Sequence, residues 1–202
     1  MDGILTRRWN GRFLHHSRKS LGAILSILSF PTDDHRLAVQ DGDLVAWFLS
    51  HGADPNAGCQ LELTPLSYAI QFATFDVIKA LFDYGGSVHT GQLVHYAVRR
   101  DQPDCLKVLA FLLDKGASIN DVMYQDQINS YQLQEAFGLG TPLHEAAQHG
   151  KLDVIQFLLA KGADPNIPDS LGQTVVQRAE FYKHPEVADL IRHSTSIPLQ
   201  SP

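Results

Sequence analysis

The histidines are the residues of this sequence best suited to chemistry, because an imidazole can bind a metal ion or transfer a proton near neutral pH. There are ten of them, but metal and catalytic sites need such groups at particular spacings, for example two histidines one helical turn apart. His15 and His16 are adjacent and would point apart on a helix, while His51, His149 and His184 lie beside predicted turns and helix ends. No His-Glu-x-x-His pattern occurs. The histidines therefore predict no metal site.

Other catalytic patterns are also absent from the sequence. It contains neither a Gly-x-Ser-x-Gly nucleophile turn nor a Gly-x-x-x-x-Gly-Lys-Ser/Thr phosphate loop. Gly138 and Gly140 resemble part of a phosphate loop, but they precede Thr141, which begins a predicted helix, instead of following a strand. Asp33 and Asp34 precede a predicted helix, where carboxylates usually serve as caps and complement the helix dipole. We expect no enzymatic activity and no cofactor.

The charges are unevenly distributed along the chain. Its net charge is −6, yet residues 1–30 contain four Arg and one Lys against a single Asp. The rest of the chain is therefore acidic and unsuited to a phosphate backbone, which argues against a nucleic-acid ligand. Cys59 and Cys105 are too few for a disulfide framework. We expect a cytoplasmic protein, with the nucleus as an alternative location.

Residues 1–31 form a basic and apolar extension that precedes the main domain. The apolar run of residues 21–30 is about half as long as the ~20 residues of a membrane-spanning helix, so no membrane span is predicted. Three interpretations stay open: a helix over residues 12–30 that covers the open end of the domain, a targeting peptide, or a disordered segment. Ser29, Phe30 and Pro31 would make a poor cleavage site for such a peptide.

A repeated phrase organises the rest of the chain. Ahead of each copy, apolar residues recur at positions i, i+1, i+4 and i+5, which is one stripe of a helix. These stripes begin at residues 44, 77, 108 and 154, and an eroded fifth one, which no copy of the phrase follows, begins at residue 187; the steps are 33, 31, 46 and 33. The copies of the phrase are Gly52-Ala53-Asp54-Pro55-Asn56, Gly116-Ala117-Ser118-Ile119-Asn120, Gly162-Ala163-Asp164-Pro165-Asn166 and, more weakly, Gly85-Gly86-Ser87-Val88.

A second phrase lies at a fixed distance before two of these glycines, with 21 residues from Thr to Gly in both cases. The threonine can cap a helix, and the proline can occupy its first position, where the missing N–H costs nothing. At the other end, Gly52, Gly85, Gly116 and Gly162 can adopt the left-handed conformation that ends a helix. The two full copies are Thr64-Pro65-Leu66-Ser67-Tyr68-Ala69 and Thr141-Pro142-Leu143-His144-Glu145-Ala146-Ala147. Two divergent copies are Gln92-Leu93-Val94-His95-Tyr96-Ala97, which lacks both Thr and Pro, and Thr174-Val175-Val176-Gln177-Arg178-Ala179.

The two phrases together resemble the ankyrin repeat, over residues 32–193 of the chain. The resemblance implies an all-α solenoid of about five helix–turn–helix repeats with short β-type turns, followed by a tail at 194–202. In that family the histidine of the second phrase, here His144, links adjacent repeats through hydrogen bonds. The irregular set is similar to ankyrin-repeat proteins of filamentous fungi.

An insertion of thirteen residues interrupts the period between the third and fourth repeats, within residues 121–138. The interval from Asn120 to Thr141 is 21 residues, whereas the equivalent intervals in two other repeats are 8. We name residues 121–138 the finger and predict that it is ordered, because its apolar side chains are costly to leave in water. Met123, Tyr124, Ile128, Tyr131 and Phe137 are these apolar residues.

The resemblance implies a non-enzymatic scaffold or adaptor, a monomer that binds another protein on the concave face formed by its first helices and turn tips. We expect Arg99 and Arg100 to be exposed there, so that changing both to Glu would abolish binding without altering stability. The alternative is a fragment or regulatory module of a larger ankyrin protein. The partner-binding candidates are Gln60, Leu61, Leu63, Gln71, Phe72, Arg99, Arg100, Gln148 and His149, with Tyr124 and Tyr131 on the finger.

Overall fold

Helical hairpins account for nearly all of the regular structure. The structure, a computed structural model, describes residues 39–58 and 62–196, and no strand occurs in these two ranges. The helices are α1 Gly42–Ser50, α2 Pro65–Phe72, α3 Phe75–Asp83, α4 Leu93–Val98, α5 Cys105–Asp114, α6 Ile128–Gln134, α7 Pro142–Gln148, α8 Leu152–Ala160, α9 Val175–Phe181 and α10 Pro185–Ser196, with one 3-10 turn, Glu135–Phe137, after α6.

The predicted helix ends are present. Thr64 caps α2 by accepting a hydrogen bond from the backbone N–H of Ser67 at 3.0 Å, and Pro65 occupies the first helical position. Thr141 and Pro142 stand in the same places at α7. The four predicted stop glycines are all left-handed, with φ of +85° at Gly52, +96° at Gly85, +90° at Gly116 and +91° at Gly162.

The helices form two layers with the core between them. The short helices α2, α4, α7 and α9 pack against one another in chain order, and each is backed by the longer helix that follows it. Small residues allow this close approach, since Ala69, Ala97, Ala146 and Ala179 are completely buried. The longer helices fill the core with Leu, Ile and Val side chains.

The repeats are linked by one hydrogen bond that recurs at the same position of the second phrase. Ser67 Oγ donates to the carbonyl of Gly91 at 2.6 Å, His95 Nε2 to that of Gly140 at 3.0 Å, and His144 Nε2 to that of Gln173 at 3.2 Å. Each acceptor lies directly before the first residue of the next phrase. The role that the resemblance assigned to His144 is confirmed, and Ser67 and His95 share it.

His95 makes the stability of the fold sensitive to acid. Burial lowers the pKa of His95 to about 4, below its ordinary value of about 6.5. His95 therefore binds a proton more tightly in the unfolded chain than in the folded one. As a result, the free energy of unfolding has its full value above about pH 6.5 and falls by up to about 3 kcal/mol as the pH drops to about 4. We expect urea unfolding at successive pH values to show this decline.

Replacing His95 with Gln tests the origin of this decline. An amide can still donate to Gly140 but does not titrate, so the H95Q variant should lose less stability between pH 7 and pH 5 than the wild type does. His89→Gln is the control, because His89 is exposed. An H95Q variant with an unchanged pH profile would show that His95 is not responsible.

Several predictions fall outside the described residues. These are the extension at residues 1–31, with its three interpretations, and the candidates Gln60 and Leu61. At the other end of the chain, α10 continues to Ser196, within the segment assigned to the tail. In the two described ranges, every helix is too short or too polar to cross a bilayer.

Candidate partner-binding face

The short helices present a row of side chains on the side opposite the long helices, which we call the inner face. One position of the second phrase, directly after its fourth residue, contributes to this face in every repeat from the second to the fifth. Tyr68, Tyr96, Glu145 and Arg178 occupy this position and are 5–9% exposed. They form the floor of the face.

Arg99 lies at the centre of the inner face in a hydrogen-bonded ion pair with Glu145. Its Nε donates to Glu145 Oε1 at 2.6 Å and its Nη2 to Oε2 at 3.1 Å, and His149 Nε2 lies 3.0 Å from Oε1. Burial alone would raise the pKa of Glu145, but the hydrogen bonds from His149 and Arg99 outweigh it and lower the pKa to about 2. Arg99 is therefore half-buried and already paired with an acid of its own chain.

Arg100 is not on the surface, and the prediction that it forms part of an exposed cationic site is wrong. Its side chain is 1% exposed and makes a two-point contact with Asp104, at 2.6 and 2.8 Å. Its Nη1 also donates to the carbonyl of Ile70 at 2.9 Å, which joins the second repeat to the third. Since α4 ends at Val98, Arg100 lies in the turn beyond the helix and points towards α5.

Tyr124 is also buried, so the structure corrects its assignment as a partner contact. It is 3% exposed, and its backbone N–H donates to Gln92 Oε1 at 3.1 Å. Together with Met123, which is 5% exposed, it attaches the start of the finger to the third repeat. Two of the apolar side chains of the finger are thus buried at its base, which supports the prediction that this part of the finger is ordered.

The far end of the finger is held by Arg178 on α9. Nη2 of Arg178 donates to the carbonyl of Gly138 and to Asp169 Oδ2, and Nη1 donates to Gln148 Oε1 at 3.0 Å. The Asp169 side chain is fully buried and also accepts hydrogen bonds from two backbone N–H groups, at 2.8 and 2.9 Å. This cluster joins the finger, the last turn and two inner helices.

The other candidates are accessible to different degrees. Gln71 and Phe72 end α2 and are half-buried, as are Leu63 and Gln148, while His149 is exposed. Tyr131 is half-buried and lines a groove between the finger and the last turn. The accessible inner face is thus aromatic and polar, and its charges are paired internally.

The floor residues Tyr68, Tyr96, Glu145 and Arg178 were not among the sequence candidates. They could have been found, because the second phrase has a common register in all four repeats and the position after its fourth residue varies from Tyr to Glu to Arg. In the two described ranges, no group of three or more His, Cys, Asp or Glu side chains is placed to hold a metal ion.

Two family models match the chain. The model described as ankyrin repeats in three copies matches residues 36–123, and the ankyrin repeat model matches residues 140–170. The two segments together cover more than half of the 202 residues, and the interval between them, residues 124–139, contains most of the finger.

Similar proteins come from a plant, an animal and a bacterium. A rice protein named probable E3 ubiquitin-protein ligase is 44% identical over 54 residues, which are 27% of this chain and 10% of that protein. Human espin-like protein is 35% identical over 68 residues, 33% of this chain and 7% of that protein. An ankyrin repeat protein of Rickettsia bellii is 30% identical over 126 residues, 60% of this chain and 62% of that protein.

The chain therefore spans less than two thirds of each of these relatives. None of the three comes from a filamentous fungus, so that likeness stays a prediction. The recurring phrases, the helical hairpins and the matched segments together identify the chain as a member of the ankyrin-repeat family.

Proposed function

We propose that this protein is a non-enzymatic scaffold that binds a partner protein across its inner face. Ankyrin repeats generally mediate protein–protein interaction, and the arrangement around Arg99 and Glu145 favours this role here. These two side chains form hydrogen bonds with each other within the face, so its charged groups already have fixed positions before a partner binds. Such preorganisation lowers the entropy that binding must overcome.

The accessible groups beside this ion pair supply the contacts. Phe72 offers an aromatic surface at the end of α2, and Gln148 and His149 offer hydrogen-bonding groups at the end of α7. A half-buried aromatic residue flanked by polar groups is typical of a binding hot spot and its rim. The protein should therefore recognise a partner mainly by shape and hydrogen bonding, without a large electrostatic contribution from this face.

A matched pair of variants tests the proposal. Phe72 lies on the inner side and Phe75 on the outer helix α3, and both are half-buried and pack against the core. A partner isolated by affinity purification with the wild-type chain should bind the F72A variant at least about tenfold more weakly, by titration calorimetry. The F75A variant should bind within about twofold of the wild type.

The thermal melts of both variants show whether the fold survives, since each loses a similar aromatic contact. If the partner binds F72A as tightly as it binds F75A, the inner face is not the binding surface. The His149→Ala variant gives an independent result, because His149 is exposed and its removal should weaken binding with little effect on stability.

A further inference from the structure

The finger presents large apolar side chains to solvent. Ile128, Leu133 and Phe137 are 71%, 69% and 79% exposed. Leu133 lies near the end of α6, and Phe137 lies four residues later in the 3-10 turn that follows. A soluble chain rarely keeps such a concentration of exposed apolar groups unless another molecule covers it.

The finger is fixed at both ends, so this apolar surface has a defined position. At its start, the N–H of Met123 donates to the carbonyl of Gly140 at 3.0 Å. At its end, the carbonyl of Glu135 accepts from Ser170 Oγ at 2.6 Å and that of Gly138 accepts from Arg178. The finger is therefore a built part of the domain and can serve as a preorganised docking surface.

The charge of this surface has one sign. Residues 116–150 contain four acidic side chains and no Lys or Arg. Glu145 is neutralised by Arg99, but Asp121, Asp126 and Glu135 have no basic side chain within 4.0 Å in the described part of the chain. Asp126 and Glu135 are exposed beside the apolar residues, so the surface favours a cationic ligand.

A groove lies between the finger and the last turn. It has a volume of about 290 Å³ and is lined by Val122, Gln125, Tyr131, Pro168, Asp169 and Ser170. Its walls combine apolar and polar groups, and it is large enough to receive a side chain of the docked partner. A pocket that accepts one anchor residue is a common feature of protein docking sites.

We propose that the finger binds a basic amphipathic helix of a partner protein. Leu133 and Phe137 pack against the apolar face of that helix, and its Lys and Arg side chains lie opposite Asp126 and Glu135. A helix is favoured over an extended peptide because the described residues include no strand edge to which a peptide could add. This surface is separate from the inner face and does not depend on the function proposed above.

Selection from a phage library of short random peptides, with the full chain as the target, tests this proposal without choosing a ligand beforehand. The selected sequences should combine Lys or Arg with Leu, Ile or Phe at helical spacing, and the synthetic peptides should bind in fluorescence anisotropy. Leu133→Ser combined with Phe137→Ser should weaken binding at least about tenfold. Asp126→Lys combined with Glu135→Lys should do the same, with a loss that shrinks at high salt.

A control with an equal change in net charge separates this site from general attraction to an acidic protein. Asp83 and Asp114 end the outer helices α3 and α5 and are exposed, so Asp83→Lys combined with Asp114→Lys should leave affinity within about twofold of the wild type. Tyr84→Ser removes an exposed aromatic residue elsewhere and should have no effect.

Three results would overturn the proposal: a library that yields no binder, selected peptides without basic residues, or equal losses in the finger and control variants. Peptides that lose affinity in the F72A variant, but not in the finger variants, would also overturn it. That last result would support binding at the inner face, so the two proposals can fail separately.

Discussion

Removal of the Arg178 side chain is expected to lower the free energy of unfolding by about 3–5 kcal/mol, because it leaves a buried carboxylate without its cation. The side chain of Asp169 is 0% exposed and that of Arg178 is 7% exposed, so water cannot replace the lost partner without a rearrangement. Burial alone would raise the pKa of Asp169, but the hydrogen bonds from Arg178, Gln173 and Leu171, together with the charge of Arg178, outweigh it and lower the pKa. In a domain of this size the R178A variant should melt roughly 10 °C below the wild type.

The effect of R178A should extend beyond α9. Arg178 also holds the carbonyl of Gly138 and the side chain of Gln148, so the end of the finger loses its attachment. We therefore expect faster amide hydrogen exchange in residues 128–139 of the R178A variant, measured by mass spectrometry, while α2 and α3 retain the protection of the wild type.

An exposed arginine provides the comparison for R178A. Arg192 pairs with Asp189 and Glu180 on the surface of the last repeat, and its side chain is 48% exposed. Its replacement by Ala should change the melting temperature by no more than about 2 °C, since exposed ion pairs contribute little. Replacing both Arg178 by Met and Asp169 by Asn should cost less than R178A alone, because the Asn oxygen still accepts from the backbone N–H groups of Leu171 and Gln173 and no buried charge is left unpaired. A melting temperature for R178A no lower than that for R192A would contradict this account.

The repeats could be predicted from sequence because the signals that define them are local. A threonine and proline at the start of a helix, apolar residues at helical spacing and a glycine at its end act within one repeat. The structure contains the features that these signals predict, including the left-handed conformation of Gly52 and Gly116. Even the hydrogen bond between repeats follows from the register of the second phrase.

For the finger, local sequence signals do not predict which side chains are buried. Its length could be predicted by counting residues, but its apolar side chains have no regular spacing that separates inside from outside. Tyr124 is buried against the third repeat, whereas Ile128 and Phe137 are exposed. The burial expected of its apolar groups is found for Met123 and Tyr124. Deleting residues 123–136 would remove these anchors and would therefore disturb the scaffold as well as any binding surface.

The two adjacent arginines show a different limit, because neighbours in sequence can have opposite environments. Arg99 still follows the course of α4 and points across the inner face to Glu145, which is distant in sequence. Arg100 lies beyond the end of the helix and points to Asp104, only four residues away. The pairing of Arg100 could therefore be predicted from the spacing of charges in the sequence, whereas the pairing of Arg99 depends on how α4 packs against α7.

The environment of Arg100 leads to a second large expected effect. Arg100→Met should lower the free energy of unfolding by about 2–3 kcal/mol, since it leaves the buried carbonyl of Ile70 without its donor and Asp104, whose side chain is 26% exposed, without its cation. The loss should be concentrated between the second and third repeats, so we expect urea unfolding to become broader or to separate into two steps. Measurement by circular dichroism, together with the fluorescence of Trp47 in α1 in a Trp9→Phe background, would follow both halves of the stack.

Arg99→Met is the appropriate comparison, because the Arg99 side chain is 31% exposed and Glu145 keeps its contact with His149. We expect R99M to cost less stability than R100M, and to weaken partner binding at the inner face by disturbing the position of Glu145.

The burial of Arg100 also means that changing both arginines to Glu should not leave stability unchanged, contrary to the expectation from the sequence. The double variant should unfold because Arg100→Glu places a buried carboxylate beside Asp104, and its loss of binding would say nothing about the face. If R100M melts at the same temperature as R99M, then Arg100 is not the link between the second and third repeats that its hydrogen bond to the carbonyl of Ile70 indicates.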